Sequence, residues 1–315
     1  MAEKREFTFL SADGKTAVRA IEWQPTGEPA AIFQLTHGMI EHIDRYDGLG
    51  KYLSGNGFYV VGHDHLGHGG TAKTSEDYGY FADKKGDEML LADMHELRRI
   101  AKEKYPALPH FMLGHSMGSY FLRRYIAAEG EGLSGALIMG TGANPGAVAI
   151  GGIGVCSIIA LFKGWRYRSP FMEKLFFTGT FDKYDNDGGR PELNWRSKDP
   201  AVGQSCLADH RCNFRFTLKA YRDFLKTILF VSRRKSAEAA PKDLPLFILS
   251  GAEDPIGGMG EGVRKVYDMY SLAGVKDVTL KLYEDCRHEI LLETEKELIF
   301  EDILGWCTNK MQPAE

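Results

Sequence analysis

The residues Gly114-His-Ser-Met-Gly118 constrain the fold of this chain more than any other part of its sequence. They follow a short apolar segment, residues 110–113, that is typical of a buried strand, and they open a segment with a helical pattern. A sharp turn from a strand into a helix leaves no room for side chains beside its central residue, which explains the glycine at each end. Such a turn predicts that the hydroxyl of Ser116 stands clear of the sheet, at a helix N-terminus that favours negative charge. The alternative is an ordinary strand–helix turn in which the serine has no role.

Apolar segments with the length of buried strands alternate with amphipathic segments along most of the chain. The predicted strands are residues 30–36, 58–62, 110–113, 135–139, 244–249 and 278–283, and the predicted helices are residues 45–55, 87–104, 260–273 and 294–308. This alternation predicts an α/β fold in which a largely parallel sheet is covered by helices on both faces. Before it, residues 7–10 and 16–23 flank an Asp-Gly pair, which predicts an antiparallel hairpin at the edge of the sheet.

The alternation stops between residues 144 and 243, where no strand pattern is visible. This segment carries 17 Lys and Arg against 10 Asp and Glu, a net charge of +7, while the rest of the chain carries −11. The change in pattern and in charge indicates a separate subdomain. We therefore predict a core formed by residues 1–143 and 244–315, and a mostly helical cap, residues 144–243, inserted after the sixth of eight strands.

The amino-acid composition and the apolar runs of the chain indicate the cellular compartment in which the protein works. The 315 residues are 43% hydrophobic and 26% charged, which is ordinary for a globular protein. The five cysteines form no Cys-x-x-Cys pair and no signal peptide is expected, so we predict free thiols in a cytoplasmic protein. The longest apolar run, residues 147–162, is too short and too rich in glycine to predict a membrane span. Residues 148–162 are the best candidate for a mobile lid that touches membranes, although their glycines argue against a stable helix.

A serine hydroxyl needs a base to act as a nucleophile at neutral pH, and the base needs an acid to orient it. Asp254 directly follows one predicted strand, and His288 lies in the loop after the next one. Because the carboxyl ends of parallel strands form the ligand crevice of an α/β sheet, we expect both side chains near Ser116. No other histidine follows residue 210, which favours His288 as the base. Asp254 as a simple turn former, with Glu253 as the acid, is the alternative.

Cleavage of an acyl group also needs two backbone N–H groups that stabilise the developing oxyanion. We expect one from Met117, the residue after the nucleophile, and the other from Met39, in the loop after the third strand. That loop begins with His37 and Gly38. An ordinary glycine turn with no catalytic role is the alternative for this loop.

Five motifs give the chain a specific resemblance to a known family. They are His37-Gly-Met-Ile-Glu-His42, Arg45-Tyr46, His63-Asp-His-Leu-Gly-His-Gly69, Gly114-His-Ser-Met-Gly118 and Arg287-His288. Over most of residues 30–130 and 244–308 the chain resembles the monoacylglycerol lipase and lysophospholipase branch of the α/β-hydrolases, a serine aminopeptidase-like family. The resemblance implies the α/β-hydrolase fold and a serine hydrolase of acyl esters that uses Ser116, Asp254 and His288. It implies neither a metal nor a cofactor.

Residues 63–68 place three histidines and an aspartate within six positions, which is also the pattern of a metal-dependent hydrolase. The stretch lacks a distant set of ligands, and a complete serine triad lies elsewhere in the sequence. We therefore expect a structural turn in which Asp64 accepts backbone hydrogen bonds. Its histidines should support the loop of His37, Gly38 and Met39.

The basic cap indicates which esters the chain cleaves. We expect its apolar residues to form a tunnel for an acyl chain. Its charge predicts contact with an anionic headgroup or membrane surface, through Arg166, Arg168, Arg233 and Arg234. This favours a lysophospholipid over a neutral monoacylglycerol, unless the arginines only form a solvated face. The expected partners are a lipid ester and a membrane surface, which the protein contacts transiently and at whose periphery it works. No nucleic acid is expected as a partner.

Two other functions fit parts of the pattern. A peptidase or amidase of the proline iminopeptidase type shares the serine turn and the triad, but it needs an acidic pocket for the substrate amine, which a basic cap does not indicate. A catalytically inactive binding protein is the other alternative. The complete set of Ser116, Asp254 and His288 argues against it.

Overall fold

The computed structural model describes residues 3–177, 184 and 194–311, and an eight-stranded sheet forms its centre. The strands are β1 (Glu3–Leu10), β2 (Ala17–Gln24), β3 (Ala31–Thr36), β4 (Phe58–His63), β5 (His110–His115), β6 (Gly135–Met139), β7 (Leu246–Gly251) and β8 (Val278–Tyr283). Their order is β1-β2-β4-β3-β5-β6-β7-β8, with β3 to β8 parallel and the antiparallel hairpin of β1 and β2 at one edge. The prediction of a mostly parallel eight-stranded sheet is therefore confirmed.

Helices cover both faces of this sheet, and further helices lie in the segment between β6 and β7. In chain order the helices are α1 (Asp47–Gly55), α2 (Gly86–Lys104), α3 (Met117–Glu129), α4 (Gly146–Lys163), α5 (Pro170–Phe176), α6 (Pro200–Ala208), α7 (Leu218–Val231), α8 (Arg234–Glu238), α9 (Glu261–Leu272) and α10 (Lys296–Met311). Because the side chains of a strand alternate between the two faces, Phe111 and Leu113 of β5 belong to the cluster of Trp306 in α10. Met112, between them, belongs to the cluster of Phe121 in α3. Burial on both faces explains why these strands read as continuous apolar runs.

The segment between β6 and β7 contains helices α4 to α8 and, within the described residues, no strand. A helical insertion thus follows the sixth strand of the sheet. Parts of the predicted cap, residues 178–183 and 185–193, lie outside the described residues, as do residues 1–2 and 312–315 of the predicted core. The exact domain boundaries at residues 143 and 244 stay a prediction.

The first cap helix, α4, is continuous over 18 residues, so the expectation that its glycines argue against a stable helix is wrong. The helix packs along α7, and its glycines permit this approach, because a Cβ on Gly152 would lie 2.8 Å from Cδ1 of Leu225. Its outer face is also apolar, and Leu161 and Phe162 are 83% and 82% exposed. Judged by length and composition alone, α4 is the one helix among the described residues that could cross a membrane.

A buried arginine joins the segment just before the cap to the end of a helix within the cap. Arg123 of α3 is 1% exposed, and its guanidinium donates to the carbonyl oxygen of Gly142, just after β6, at 3.1 Å. It also donates to the carbonyl oxygen of Val231, the last residue of α7, at 3.0 Å, and to Oγ1 of Thr141 at 3.3 Å. The segment that leads into α4 and the end of α7 are therefore held by the same side chain.

Candidate active site

Ser116 occupies a sharp turn between β5 and α3. Its backbone has φ 51° and ψ −121°, a positive-φ conformation that costs a residue other than glycine about 1–3 kcal/mol. Glycine is a steric requirement on both sides. A Cβ on Gly114 would lie 2.4 Å from the carbonyl oxygen of Gly118, and a Cβ on Gly118 would lie 2.3 Å from the carbonyl oxygen of Thr36. The N–H of Ser116 donates to the carbonyl oxygen of Met139 at 2.9 Å, which holds the turn. The turn brings Ser116 to the wall of a cavity.

His288 and Asp254 come together beside the same cavity. Nδ1 of His288 lies 2.9 Å from Oδ2 of Asp254, and both side chains are buried. Asp254 also accepts hydrogen bonds from Oγ of Ser250 at 3.0 Å and from the N–H of Ile256 at 2.8 Å. Burial alone would raise the pKa of Asp254, but His288 and these donors hold it below its usual value. The carboxylate is therefore ionised at neutral pH and orients the imidazole, which lines the cavity together with Ser116.

The loop after β3 passes directly over the serine. A Cβ on Gly38 would lie 2.5 Å from Oε1 of Glu41 and 3.0 Å from Cβ of Ser116, so any side chain at this point would have to displace Glu41. The N–H of Gly38 donates to the carboxylate of Glu41, and the next residue, Met39, lines the cavity together with Met117. Both residues predicted for the oxyanion hole thus border the serine, and the use of their N–H groups in catalysis stays a prediction.

A buried polar network, which sequence analysis did not find, lies behind His288. Oε1 of Glu41 accepts a hydrogen bond from the hydroxyl of Tyr46 at 3.0 Å and lies 3.1 Å from Nδ1 of His115. Nε2 of His115 lies 3.3 Å from the carbonyl oxygen of His288. Burial works to raise the pKa of Glu41, but His115 and Arg45 hold it well below its usual range, so this carboxylate is ionised at neutral pH.

The histidine-rich stretch forms a buried scaffold for the loop after β3. Nε2 of His37 accepts the N–H of His65 at 3.0 Å, and the carboxylate of Asp64 accepts two backbone N–H groups at 2.8 Å each. The ring centroids of His37 and His65 lie 4.3 Å apart. Burial lowers the pKa of His63 and of His68 to about 3, so these imidazoles are neutral and pack as apolar rings.

A cavity of about 490 Å³ lies between the cap and the carboxyl ends of the strands. Much of its wall is apolar and comes from the cap, including Ala149, Met172, Phe224, Leu225 and Ile228. Another part of the wall is polar and is formed by Glu41, Arg196 and Glu289. Glu289 is paired there, because Oε1 lies 2.9 Å from Nη1 of Arg196 and the other oxygen contacts Arg45. The cavity therefore combines an apolar surface with a small, charge-paired polar surface.

The four arginines predicted to contact a headgroup do not line this cavity, as far as the described residues form it. Arg168 donates to three carbonyl oxygens of the loop at residues 75–78. Arg166 lies over a tyrosine ring, 3.7 Å from its centroid. Arg233 precedes α8, and Arg234 within that helix pairs with a glutamate one turn later at 2.8 Å. The sequence indicates these residues by their charge alone, and charge does not show which way a side chain points.

The eight-stranded sheet, the helical insertion after β6 and the serine on the turn after β5 define an α/β-hydrolase. The profile of the family described as serine aminopeptidase, S33, matches residues 27–295, which is most of the chain. The chain therefore belongs to this family.

Similarity to known relatives extends over nearly the whole chain. The chain is 27% identical over 305 residues to the monoglyceride lipase of Homo sapiens, covering 93% of this chain and 87% of that protein. It is 25% identical over 311 residues to the monoacylglycerol lipase of Mycolicibacterium smegmatis, covering 98% of each. Among solved structures, a highly thermostable carboxyl esterase from Bacillus coagulans in complex with glycerol superposes with a TM-score of 0.89 at 31% identity, covering 99% of this chain and 100% of that one.

Proposed function

We propose that this carboxylic ester hydrolase cleaves the ester bond of monoacylglycerols through an acyl-enzyme on Ser116. The observation that carries the proposal is the cavity under the cap, where an extensive apolar wall and a small polar surface meet beside Ser116. An acyl chain suits the apolar wall, and a glycerol group suits the polar surface. The relatives named monoglyceride lipase and monoacylglycerol lipase, and the carboxyl esterase in complex with glycerol, support the same substrate class.

The first half of the reaction acylates Ser116. His288 takes the proton of the hydroxyl as Oγ attacks the ester carbonyl, and Asp254 stabilises the imidazolium that forms. The N–H groups of Met39 and Met117 stabilise the oxyanion of the tetrahedral intermediate. The bond to the alcohol oxygen then breaks, and His288 gives its proton to the departing glycerol.

The second half of the reaction restores the enzyme. His288 takes a proton from a water molecule, and the hydroxide attacks the carbonyl carbon of the acyl-enzyme. The bond to Oγ of Ser116 breaks, His288 returns the proton to Oγ, and a fatty acid leaves. Each proton that His288 accepts is thus given to a leaving oxygen.

The polar surface of the cavity favours a neutral alcohol. Glu289 is paired with Arg45 and Arg196, and Glu41 faces His115, so neither carboxylate is available as the sole partner of a substrate amine. Such paired groups hydrogen-bond hydroxyl groups without demanding a charge, which argues against a peptidase. Hydrolysis of lysophospholipids is the second candidate, because the cap's net charge of +7 attracts anionic lipid surfaces.

Helix α4 provides a surface for contact with the lipid that supplies the substrate. Five of its apolar side chains are between 58% and 83% exposed: Val148, Ile150, Ile158, Leu161 and Phe162. We infer that this face rests transiently on a membrane at the cytoplasmic side, as the apolar faces of interfacial helices do. Val148, at the edge of this face, lines the cavity together with Ala149 and Gly152 of the opposite face, so a substrate has a short path from the lipid to Ser116.

The test compares turnover of 1-oleoylglycerol, lysophosphatidylcholine and an aminoacyl p-nitroanilide by the same preparation. We expect the highest kcat/KM for oleoylglycerol, and covalent labelling of the wild type by a fluorophosphonate probe. Ser116→Ala should abolish both, while Ser157→Ala, a serine of α4 away from the turn, should change neither. An unlabelled but folded wild type contradicts the acyl-enzyme, and faster turnover of the lysophospholipid contradicts the substrate class.

A further inference from the structure

A second cavity, with a volume of about 260 Å³, lies beside the active-site cavity and between α3, α7 and α9. Tyr120, Asn144 and Ile228 line both cavities, so the two share part of a wall. Neither Ser116 nor His288 lines the second cavity, and the ester bond is therefore not cleaved there. Its volume is below the roughly 300–1,000 Å³ of sites for drug-sized ligands, which indicates a smaller ligand.

A buried cation without a counter-charge forms part of the wall of the second cavity. This cation is Arg123, whose three hydrogen bonds go to neutral oxygens of Thr141, Gly142 and Val231. Its Nε has no hydrogen-bond partner, and burial raises the pKa of Tyr270, so this neighbouring hydroxyl is neutral too. Among the residues that the structure describes, no carboxylate forms an ion pair with Arg123. Because burying a charge is costly unless it is paired, this guanidinium favours an anion beside it.

A second cation lies on the solvent side of the same cavity. Lys265 of α9 lines the cavity, and its side chain is 62% exposed. Its ammonium group lies 2.7 Å from a carboxylate oxygen of Glu261, and this pair is weak because both groups are in water. Lys265 is therefore free to turn towards a ligand. In the described part of the chain no acidic side chain lines the cavity, so the two cations meet no competing anion there.

Most of the remaining wall of the second cavity is apolar. It is formed by Pro145, Ile228, Val231, Val266 and Met269. Ala143 and Asn144, which also line the cavity, are exposed, so the cavity opens to solvent on their side. A buried guanidinium binds a carboxylate through charge-assisted hydrogen bonds, and an apolar wall binds an alkyl chain. The cavity thus combines the two surfaces that a fatty acid anion requires.

We propose that the second cavity binds the anion of a short- or medium-chain fatty acid, with its carboxylate on Arg123 and Lys265 and its alkyl chain on the apolar wall. Hydrolysis of a carboxylic ester releases an acid of this class, so the ligand is formed where the enzyme works. Because Arg123 also holds Gly142 and Val231, a bound carboxylate stabilises the attachment of the cap. The site is separate from Ser116 and does not depend on which alcohol the substrate carries.

The experiment measures the binding of octanoate to the full-length protein by isothermal titration calorimetry. We expect Lys265→Gln to weaken this binding about fivefold, because one of two cations is lost. Met269→Trp keeps both cations but fills the cavity, and it should weaken binding about 10-fold or more. Lys276→Gln is the matched control, because this exposed lysine pairs with Asp243 and does not line the cavity. It should leave the affinity unchanged.

Two further ligands test the chemistry of the site. 1-Octanol has the same chain without the charge, and inorganic phosphate has a charge without the chain, so both should bind about 10-fold or more weakly than octanoate. Octanoate should also raise the Tm of the wild type and of Lys276→Gln, but much less that of Met269→Trp. Arg123→Gln removes the buried cation and should lose octanoate binding; if this variant does not fold, the other two decide.

Two results overturn the proposal. One is octanoate binding that is unchanged in both Lys265→Gln and Met269→Trp, because the ligand then occupies the active-site cavity alone. The other is binding of 1-octanol or phosphate as tight as that of octanoate. Fluorophosphonate labelling of the same preparations reports on Ser116 separately, so a failure of the acyl-enzyme proposal is distinguishable from a failure of this one.

Discussion

Glu41 and His115 connect the two loops that border Ser116, with Oε1 of Glu41 3.1 Å from Nδ1 of His115. Glu41 also accepts the N–H of Gly38, and the other ring nitrogen of His115 lies 3.3 Å from the carbonyl oxygen of His288. The loop over the serine, the serine turn and the loop of the proposed base therefore form one hydrogen-bonded unit. A change at Glu41 should affect all three.

Glu41→Gln should lower kcat about 10- to 100-fold with a smaller change in KM. The amide keeps the shape of the side chain but loses its charge, and hydrogen bonds to charged groups contribute about 1.5–3 kcal/mol each. Steady-state kinetics with a short-chain ester measures the effect. Tyr46→Phe removes a single neutral donor to Glu41 and should cost less activity. A greater loss in Tyr46→Phe than in Glu41→Gln would show that the charge is not what matters.

Asp254→Asn should lower kcat about 10⁴-fold, because the amide no longer stabilises an imidazolium at His288 and favours the wrong tautomer. Glu253→Gln is the matched control, since this neighbouring carboxylate lies 3.9 Å from the guanidinium of Arg287. It should retain activity within about threefold, as surface changes away from the reacting groups do. A large loss in Glu253→Gln, with activity retained in Asp254→Asn, would assign the acid to Glu253 instead.

Gly118→Ala should destabilise the fold by about 1–3 kcal/mol, because the added methyl group meets a backbone oxygen that cannot move freely. The distance from this Cβ to the carbonyl oxygen of Thr36 would be 2.3 Å. Gly154→Ala is the control, since nothing lies within 4 Å of a Cβ at that position in α4. Alanine should be neutral or stabilising there. Urea unfolding of both variants decides the point, and equal stabilities would refute the steric explanation.

His63 and His68 should make the fold sensitive to acid. Burial lowers the pKa of each to about 3 from an ordinary value of 6.5, so the unfolded chain binds more protons than the folded chain between these values. Their contribution to stability is therefore complete above about pH 6.5 and is lost as the pH falls toward 3, with a slope of about 1.4 kcal/mol per pH unit for each. His63→Phe should reduce the loss of unfolding free energy between pH 7.5 and pH 5, measured with urea. A slope identical to that of the wild type would contradict the assignment.

Ala149→Phe should shorten the preferred acyl chain. Ala149 lies on the inner face of α4 and lines the cavity, so a phenyl ring there occupies space that we assign to the acyl group. We expect kcat/KM for an oleoyl ester to fall at least 10-fold relative to that for a butyryl ester, since each lost methylene contact is worth about 0.8 kcal/mol. Ala147→Phe places the same ring on the exposed side of the helix. If both variants lose long-chain activity equally, the acyl group does not lie along α4.

The sheet and the serine turn could be predicted because their signals are local. Gly114 and Gly118 are needed by contacts that arise within the turn and with the adjoining loop. Asp254 directly follows β7, and the apolar run of that strand is enough to place it at the carboxyl edge of the sheet. The sequence patterns within ten residues of Ser116 and of Asp254 are therefore enough to predict where these two residues lie in the fold.

The packing within the cap and the polar wall of the cavity could not be predicted, because they depend on distant contacts. Glu289 pairs with Arg45, 244 positions away, and with Arg196 in the cap. Neither pairing leaves a periodic pattern. The helix α4 is apolar all round, so its sequence does not show which face packs on α7, or that its glycines permit this packing. Glu41 lies in a motif noted for its histidines, and only the folded chain shows that it contacts His115.

The bonds of Arg123 to Gly142 and Val231 have a consequence for how proteins of this kind diversify. Because one side chain of the core holds both points, the chain between them can lengthen, shorten or change sequence while β6 and β7 keep their register. We therefore expect insertions and deletions between these two anchor points to alter the wall of the cavity while the geometry around Ser116 is kept.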